Sequence, residues 1–288
     1  MMNGIDIASY QSKIDPAKLT TTDFIIIKFT QGTTYVNPYA VTQYSLARKA
    51  GKCLGAYHYA AGKDAKAEAR FFVEKIGDRV GECILALDWE GAQNPAFGRN
   101  DVAWCRTWLN EVYRLTGVRP FIYMSKSVCR AHDWSSIADD YPLWCAQYGS
   151  MNRTGYKTEP WTDGRGFGAW TGDIIRQYSS RGRIAGYAGD LDLDKAYLSR
   201  VTWKSMAGST KKKIAKKEEE HAEMMPTLKK GSTGRAVKCL QIMLGDVTVD
   251  GDFGPKTEGA VKTFQKAHGL AQDGVVGVKT WNALIKTL

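Results

Sequence analysis

The chain of 288 residues carries a formal net charge of +10, with 43% hydrophobic and 24% charged residues, a composition of a folded globular protein with room for one large and one small domain. No run is apolar enough to span a bilayer, and Met1-Met2-Asn3-Gly4-Ile5-Asp6 lacks the basic start and apolar core of a secretory signal. The expectation is therefore a protein made in a cytoplasm without a signal peptide and with no stable membrane insertion. The positive charge favours an acidic partner, yet the basic residues are dispersed outside residues 211–217 and form no nucleic-acid recognition signature, so no nucleic acid is expected as partner.

In chain order, residues 4–9 and 24–29 read as short apolar strands, and residues 38–51 as a helix stopped by Gly51. A third strand is predicted over 53–59, an amphipathic helix over 64–76, and a fourth strand over 84–90. Trp104, Cys105, Trp108, Leu109 and Val112 then share a helical face within 102–115, ahead of strands at 120–124 and 143–148. Afterwards the rhythm changes, since strand candidates at 169–178 and 189–193 follow with no clear helix between them. Eight strands in this order predict an α/β closed barrel whose last part has lost its helices, with chemistry at the C-terminal strand ends. The acids at those ends are Asp6, Asp88, Glu90 and Asp192.

Residues 205–226 shift to small, then strongly charged residues: a lysine-rich run over 211–217 meets Glu218-Glu219-Glu220, the composition of a solvated spacer. Residues 227–288 have three helical patterns: Val237, Leu240 and Leu244; Ala260, Val261, Phe264 and Ala267; and Trp281, Leu284, Ile285 and Leu288. They predict a small three-helix all-α domain. Within it, Asp250-Gly251-Asp252-Phe253-Gly254-Pro255-Lys256-Thr257 is echoed by Asp273-Gly274-Val275-Val276-Gly277-Val278-Lys279-Thr280, each a glycine turn feeding a helix start. The predicted organisation is a barrel over 1–204, a charged linker over 205–226 and the helical domain over 227–288.

Within the fourth strand, Asp88 and Glu90 are two residues apart at the end of an apolar run. Alternation points both carboxylates into one space, as cleavage of a glycosidic bond by paired acids requires. The six cysteines sit singly without a Cys-x-x-Cys pair, and no two of the four histidines stand at ligand spacing. Reduced thiols and neither metal nor cofactor are expected.

Gly4-Ile5-Asp6-Ile7-Ala8-Ser9-Tyr10-Gln11, Ile26-Ile27-Lys28-Phe29-Thr30-Gln31-Gly32, Gly55-Ala56-Tyr57-His58-Tyr59, Leu87-Asp88-Trp89-Glu90, Gln177-Tyr178-Ser179-Ser180 and Gly189-Asp190-Leu191-Asp192-Leu193-Asp194 closely resemble, in order, the landmarks of glycoside hydrolase family 25, the Chalaropsis-type lysozymes. The C-terminal segment resembles the common peptidoglycan-binding domain through Leu228-Lys229-Lys230-Gly231, Val237-Lys238-Cys239-Leu240-Gln241, the Asp250 to Thr257 motif and Thr280-Trp281. The resemblance implies an irregular TIM-like (β/α)5β3 barrel and cleavage of the β-1,4 bond between N-acetylmuramic acid and N-acetylglucosamine, with bacterial peptidoglycan as partner. It also implies a site of Asp6, Asp88, Glu90 and Asp192, the set the barrel rule selects.

On this reading Glu90 is the general acid and keeps its proton until substrate arrives. Asp88 stays charged and either stabilises the oxocarbenium-like transition state or orients the substrate's N-acetyl group, with retention of configuration expected. Asp6 and Asp192 position and tune these two. Tyr59, Tyr123, Trp144, Gln147 and Gln177 are candidates for the sugar groove, against barrel packing as the plain alternative; His58, on the other parity of its strand, is expected to face the helices. The chain departs from the family pattern at Gln31, where glutamate is common, and at Asp194, where asparagine is common and where a negative charge is therefore expected. Lack of an export signal and presence of a wall-binding module suggest a phage endolysin acting on the wall after release. The alternatives are a bacterial autolysin with the same chemistry, a non-catalytic wall-binding protein, and a chitinase-like enzyme.

Overall fold

The computed structural model describes residues 1–208, 225–285 and 287. The chain divides into two compact units, Met1–Thr210 and Lys211–Leu288; the lysine- and glutamate-rich part of the expected linker and Leu288 lie outside the described residues.

The first unit is built on strands β1 (Met2–Ile7), β2 (Phe24–Gln31), β3 (Tyr35–Val36), β4 (Cys53–Tyr59), β5 (Ile84–Asp88), β6 (Phe121–Ser125), β7 (Leu143–Ala146), β8 (Ile175–Gly182) and β9 (Leu191–Ala196). Eight of them close into a barrel in the order β1-β2-β4-β5-β6-β7-β8-β9, with β9 hydrogen-bonded back to β1. Strands β1 through β8 of the ring are parallel, whereas β9 runs antiparallel to both of its neighbours. β3 adds antiparallel to the end of β2 outside the ring. Helices α1 (Ala40–Lys49), α2 (Ala65–Ile76), α3 (Asp101–Thr116) and the short α4 (Lys126–Ala131) and α5 (Ser135–Ala138) follow β3, β4, β5 and β6. No helix stands between β7 and β9, as the sequence predicts.

Several boundaries differ from expectation for local reasons. β1 ends at Ile7 because the Gln11 side chain accepts the Ala8 N–H and starts a tight turn. The expected strand at 169–178 begins only at Ile175, since Trp170 is drawn into the helical layer, where its indole donates to Tyr141 O at 2.9 Å. β5 ends at Asp88, although the Trp89 N–H still donates to Tyr123 O at 3.0 Å and carries the alternation through to Glu90. Two-residue β3 and the short α4 and α5 are too brief to leave a periodic signal.

Alternation splits the barrel's apolar residues into two layers. Ile5, Ile25, Ile27, Leu85, Leu87 and Ile122 face outwards and pack on Phe72, Trp104, Trp108 and Val112 of the helices. Phe24, Ile26, Ile84, Ala86, Phe121, Trp144 and Ile175 face inwards. The interior is narrow: a Cβ on Gly4 would sit 2.3 Å from the Phe24 ring, and one on Gly55 2.9 Å from Ile26 Cγ1. Glycine at those two inward positions is what lets the aromatic filling fit.

A final helix, α6 (Arg200–Ala207), is capped by Ser199, whose hydroxyl accepts from Thr202 N–H. It closes the bottom of the barrel with Trp203, which stacks on Phe24 at 4.7 Å and donates to Leu54 O at 2.9 Å. Ala207 is also buried, so the packed chain continues past residue 204.

In the second unit, α7 (Arg235–Leu244), α8 (Pro255–Ala267) and α9 (Val278–Ile285) enclose Val237, Leu240, Phe253, Val261, Trp281 and Leu284. Ala267 is exposed rather than part of this core. The sequence echo is a structural repeat held by one glutamine per copy. Gln241 Nε2 donates to Asp250 Oδ1 at 2.7 Å and its Oε1 accepts from Gly251 N–H at 2.8 Å. Gln265 does the same to Asp273 Oδ1 at 2.8 Å and Gly274 N–H at 3.0 Å.

Because Trp203 is fully enclosed at the barrel floor, Trp203→Ala is expected to cost about 3–5 kcal/mol through the cavity it leaves. Urea unfolding followed by far-UV circular dichroism measures this loss.

Candidate active site

At the C-terminal end of the parallel strands the interior opens into a cavity of about 300 Å³. Its wall includes Asp6 from β1, Lys28 from β2, Tyr57 and Tyr59 from β4, Asp88 and Glu90 from β5, Tyr123 from β6, Trp144 and Tyr148 from β7 and beyond, Gln177 from β8 and Asp192 from β9. All four acids expected at strand ends therefore meet in one space. Asp6 pairs directly across the strands with Asp192, and Asp88 and Glu90 share a face because Trp89 between them is turned outwards. Trp89 is fully buried, stacks on Trp104 and donates its indole N–H to Asp101 Oδ1 at 2.9 Å.

Of the sugar-groove candidates, Tyr59, Tyr123, Trp144 and Gln177 line the cavity, whereas Gln147 does not. Parity explains the difference: Trp144 and Tyr148 lie on the inward parity, and Gln147 is on the other and accepts from Lys126 Nζ at 3.3 Å. His58 faces the helices as expected. It is bonded to Thr30 Oγ1 at 2.7 Å and to Glu68 Oε2 at 2.9 Å, and it stacks on Trp108.

The cavity's polar groups are ordered by a short relay. The Tyr123 hydroxyl donates to Gln177 Oε1 at 2.9 Å, the Tyr148 hydroxyl donates to the same oxygen, and Gln177 Nε2 donates to Asp6 Oδ2 at 2.7 Å. Two donors on its carbonyl orient the amide and so aim its N–H groups at the carboxyl. Asp88 Oδ1 is buried without a hydrogen-bond partner among the described residues, in a side chain that lines the cavity.

Burial and crowding of like charges raise the carboxyl pKa values. Asp6 is pushed well above the usual range by burial and then by Asp194. Asp88 is pushed well above it by burial and then by Glu90, with Lys28 pulling the other way. This opposes the expectation that Asp88 simply stays charged, because burial and a neighbouring carboxyl both disfavour its ionised form. Asp192 rises to about 8 through burial, Asp6 and Glu90.

Lys28 is the one cation among the described residues lining the cavity. Burial lowers its pKa, against the pull of Asp88 and Glu90. Its ammonium lies 4.3 Å from the Tyr59 ring centroid and donates to Gln31 Oε1 at 2.8 Å. The departure to glutamine at position 31 thus holds the lysine without adding a charge. At the other departure, Asp194 is fully buried, accepts the Trp144 indole N–H at 2.8 Å, and is raised by burial to about 8. The extra negative charge expected there is mostly neutralised at neutral pH.

Lys28 and Tyr148 were not among the residues singled out from sequence as site residues. Their signal was inward parity: Lys28 continues the Phe24–Ile26 series, and Tyr148 the Trp144–Ala146 series.

Residues 5–187 match the family model described as glycosyl hydrolases family 25, more than half of the chain. The chain belongs to glycosyl hydrolase family 25. Residues 234–284 match the model described as putative peptidoglycan binding domain. The chain is similar to the uncharacterized protein YegX of Escherichia coli K12, 30% identical over 67% of this chain and 68% of that one. It is also similar to the autolytic lysozyme of Clostridium acetobutylicum, 28% identical over 98% of this chain and 78% of that one. Among solved structures, the catalytic domain of endolysin Ply40 from Listeria bacteriophage P40 superposes with a TM-score of 0.59 at 26% identity, covering 73% of this chain and 98% of that domain. The family-25 barrel is thus a glycoside hydrolase carrying the acid-lined cavity described above.

The raised carboxyls make barrel stability pH-dependent. The folded-state value of Asp194, about 8, lies above the value of about 3.9 for an unfolded aspartate. Its contribution is therefore fully present below about pH 4 and is lost as pH rises towards about 8. Asp194→Asn is expected to flatten the fall in Tm between pH 5 and pH 9, with the largest gain over the parent at pH 9, as differential scanning fluorimetry across that range measures.

Proposed function

We propose that the barrel is a lysozyme that cleaves the β-1,4 bond between N-acetylmuramic acid and N-acetylglucosamine in bacterial peptidoglycan. The observation that carries this reading is the pairing of Asp88 and Glu90 on one face of the cavity, with Asp88 Oδ1 unpartnered, in a chain of this family. Glu90 lies at the outer edge of the pair and is half-buried. It passes its proton to the leaving oxygen as the bond to the anomeric carbon breaks. Asp88 lies deeper; its free oxygen accepts the N–H of the 2-acetamido group and holds that group, or the developing positive charge, against the anomeric centre. Water then adds to that carbon, and Glu90 takes back a proton. Asp6, held by Gln177, and Asp192 form the opposite wall and limit how much negative charge the pair carries. Tyr59, Tyr123 and Trp144 offer aromatic surface to the sugars and Gln177 an amide.

The C-terminal unit, through its match to a peptidoglycan-binding family, anchors the enzyme to the polymer it cuts, with the charged sequence that follows α6 as the tether. Tethering raises the local concentration of enzyme at the wall. No helix among the described residues is long and apolar enough to cross a membrane. Similarity to a phage endolysin domain and to an autolytic lysozyme supports a wall-lytic role of one of those kinds.

Wall digestion followed by borohydride reduction of the fragments tests the chemistry. New reducing muramic acid is expected from the parent chain, falling at least about a hundredfold in Glu90→Gln. Reducing glucosamine instead would assign the opposite bond, and wall binding without new reducing ends would leave only a binding protein. Removing residues 209–288 is expected to spare hydrolysis of soluble wall fragments and to abolish sedimentation with intact walls; equal sedimentation of both forms would remove the anchoring role.

A further inference from the structure

Tyr10, 89% exposed, lines the cavity itself; two further exposed aromatic side chains, Tyr35 and Trp161, follow strand ends at its mouth, and the barrel order sets where. Around the ring, β2 and β7 are four strands apart and therefore diametrically opposed. β5, which carries Asp88 and Glu90, lies midway between them on one side, and β9, which carries Asp192, lies midway on the other. A line from the end of β2 to the end of β7 thus passes between the two acid walls. Tyr35, on the β3 extension of β2, stands at one end of that line, 38% exposed, with its hydroxyl donating to Ser9 Oγ and its ring 5.7 Å from Lys28 Nζ. Trp161, on the segment after β7, stands at the other.

Trp161 is held open. It is 52% exposed, although exposing an indole forfeits the burial that such a side chain normally finds. Its ring rests on Gly149, where an added Cβ would lie 3.0 Å from Trp161 Cβ and 3.2 Å from Cγ and Cε3. Glycine there lets the indole lie against main chain immediately beyond Tyr148 of the cavity wall. The residues next to it are locked by the buried Lys126, whose ammonium donates to Thr162 Oγ1 at 3.1 Å and to Asp163 Oδ1 at 2.5 Å. A large apolar face is thus fixed in position before any ligand arrives, which reduces the ordering cost of binding.

We propose that the glycan strand crosses the cavity along the β2–β7 diameter and that Trp161 is a stacking platform for a sugar ring beyond the two rings joined at the cleaved bond, with Tyr35 serving the opposite end. The platform rests on the lysozyme reading of the cavity. It acts on strand length, since only a strand long enough to reach Trp161 gains the contact.

Kinetics of the full chain on peptide-free glycan strands and on the shortest muramic acid–glucosamine oligosaccharide that the parent cleaves test this. Trp161→Ala is expected to raise KM on strands about five- to tenfold, the scale of one aromatic stacking contact. The ratio of kcat/KM on strands to that on the short substrate falls by the same factor, and Trp161→Phe restores most of it. Tyr35→Ala shifts the same ratio from the other end. An unchanged KM on strands, or equal losses on both substrates that phenylalanine does not restore, would overturn the platform. A parent chain inert on both substrates would remove the lysozyme reading beneath it.

Discussion

Five carboxyl groups share the upper interior of one narrow barrel with a single lysine, and most of what is chemically distinctive about this protein follows from that crowding. A closed ring of eight strands assigns every second residue to an interior too tight for a side chain at Gly4 or Gly55. The lower half satisfies this with Phe24, Ile26, Phe121 and Trp203. The upper half contains acids, which in a space largely screened from water cannot all ionise together. Burial and neighbouring carboxyls push the pKa values of Asp6, Asp88, Asp192 and Asp194 upwards. Asp192 and Asp194, raised to about 8, hold protons at neutral pH, and Lys28 opposes the upward push on Asp88.

Such a cluster is useful only if the strand ends carrying it do not move. The layer behind the sheet supplies that rigidity. Trp89 is pinned to Asp101 and packed on Trp104, so Asp88 and Glu90 cannot roll away from the cavity. His58 bridges Thr30 of β2 and Glu68 of α2 while stacked on Trp108, which ties β2, β4 and the first helices together behind Lys28 and Tyr57. These groups lie outside the cavity lining, and His58 uses both of its ring nitrogens in buried bonds, the form in which such networks specify one arrangement. The second unit uses the same principle at smaller scale: in a core of few residues, Gln241 and Gln265 each tie down an Asp-Gly loop that would otherwise leave backbone N–H groups unbonded.

The barrel strands, the order of its helices and the acids of its mouth were legible along the chain. Apolar runs of five to eight residues with glycine stops have a local cause, and strand ends in a parallel barrel converge by rule. β4 matched residue for residue, and α2 began where Asp64 caps it. Less legible were features whose cause lies elsewhere in the chain. Gln147 looked like its neighbours, but its parity sends it to Lys126. The segment ahead of β8 looked strand-like, but Trp170 is drawn to Tyr141 and the helices. Ser205 to Ala207 read as the start of a spacer until Trp203 and Ala207 are seen to seal the barrel floor.

The sequence alone determined the alternation that separates inward from outward residues, the succession of strands and helices, and the carboxylates available to the site, because each depends on residues adjacent in the chain. Only the tertiary structure decided how those acids titrate, that Lys28 sits among them and that Asp194 keeps its proton, because burial and the charge of a residue far along the chain set those energies. The opposition of Tyr35 and Trp161 across the two acid walls likewise exists only once the ring has closed, since closure, and nothing local to either residue, makes β2 and β7 the ends of one diameter.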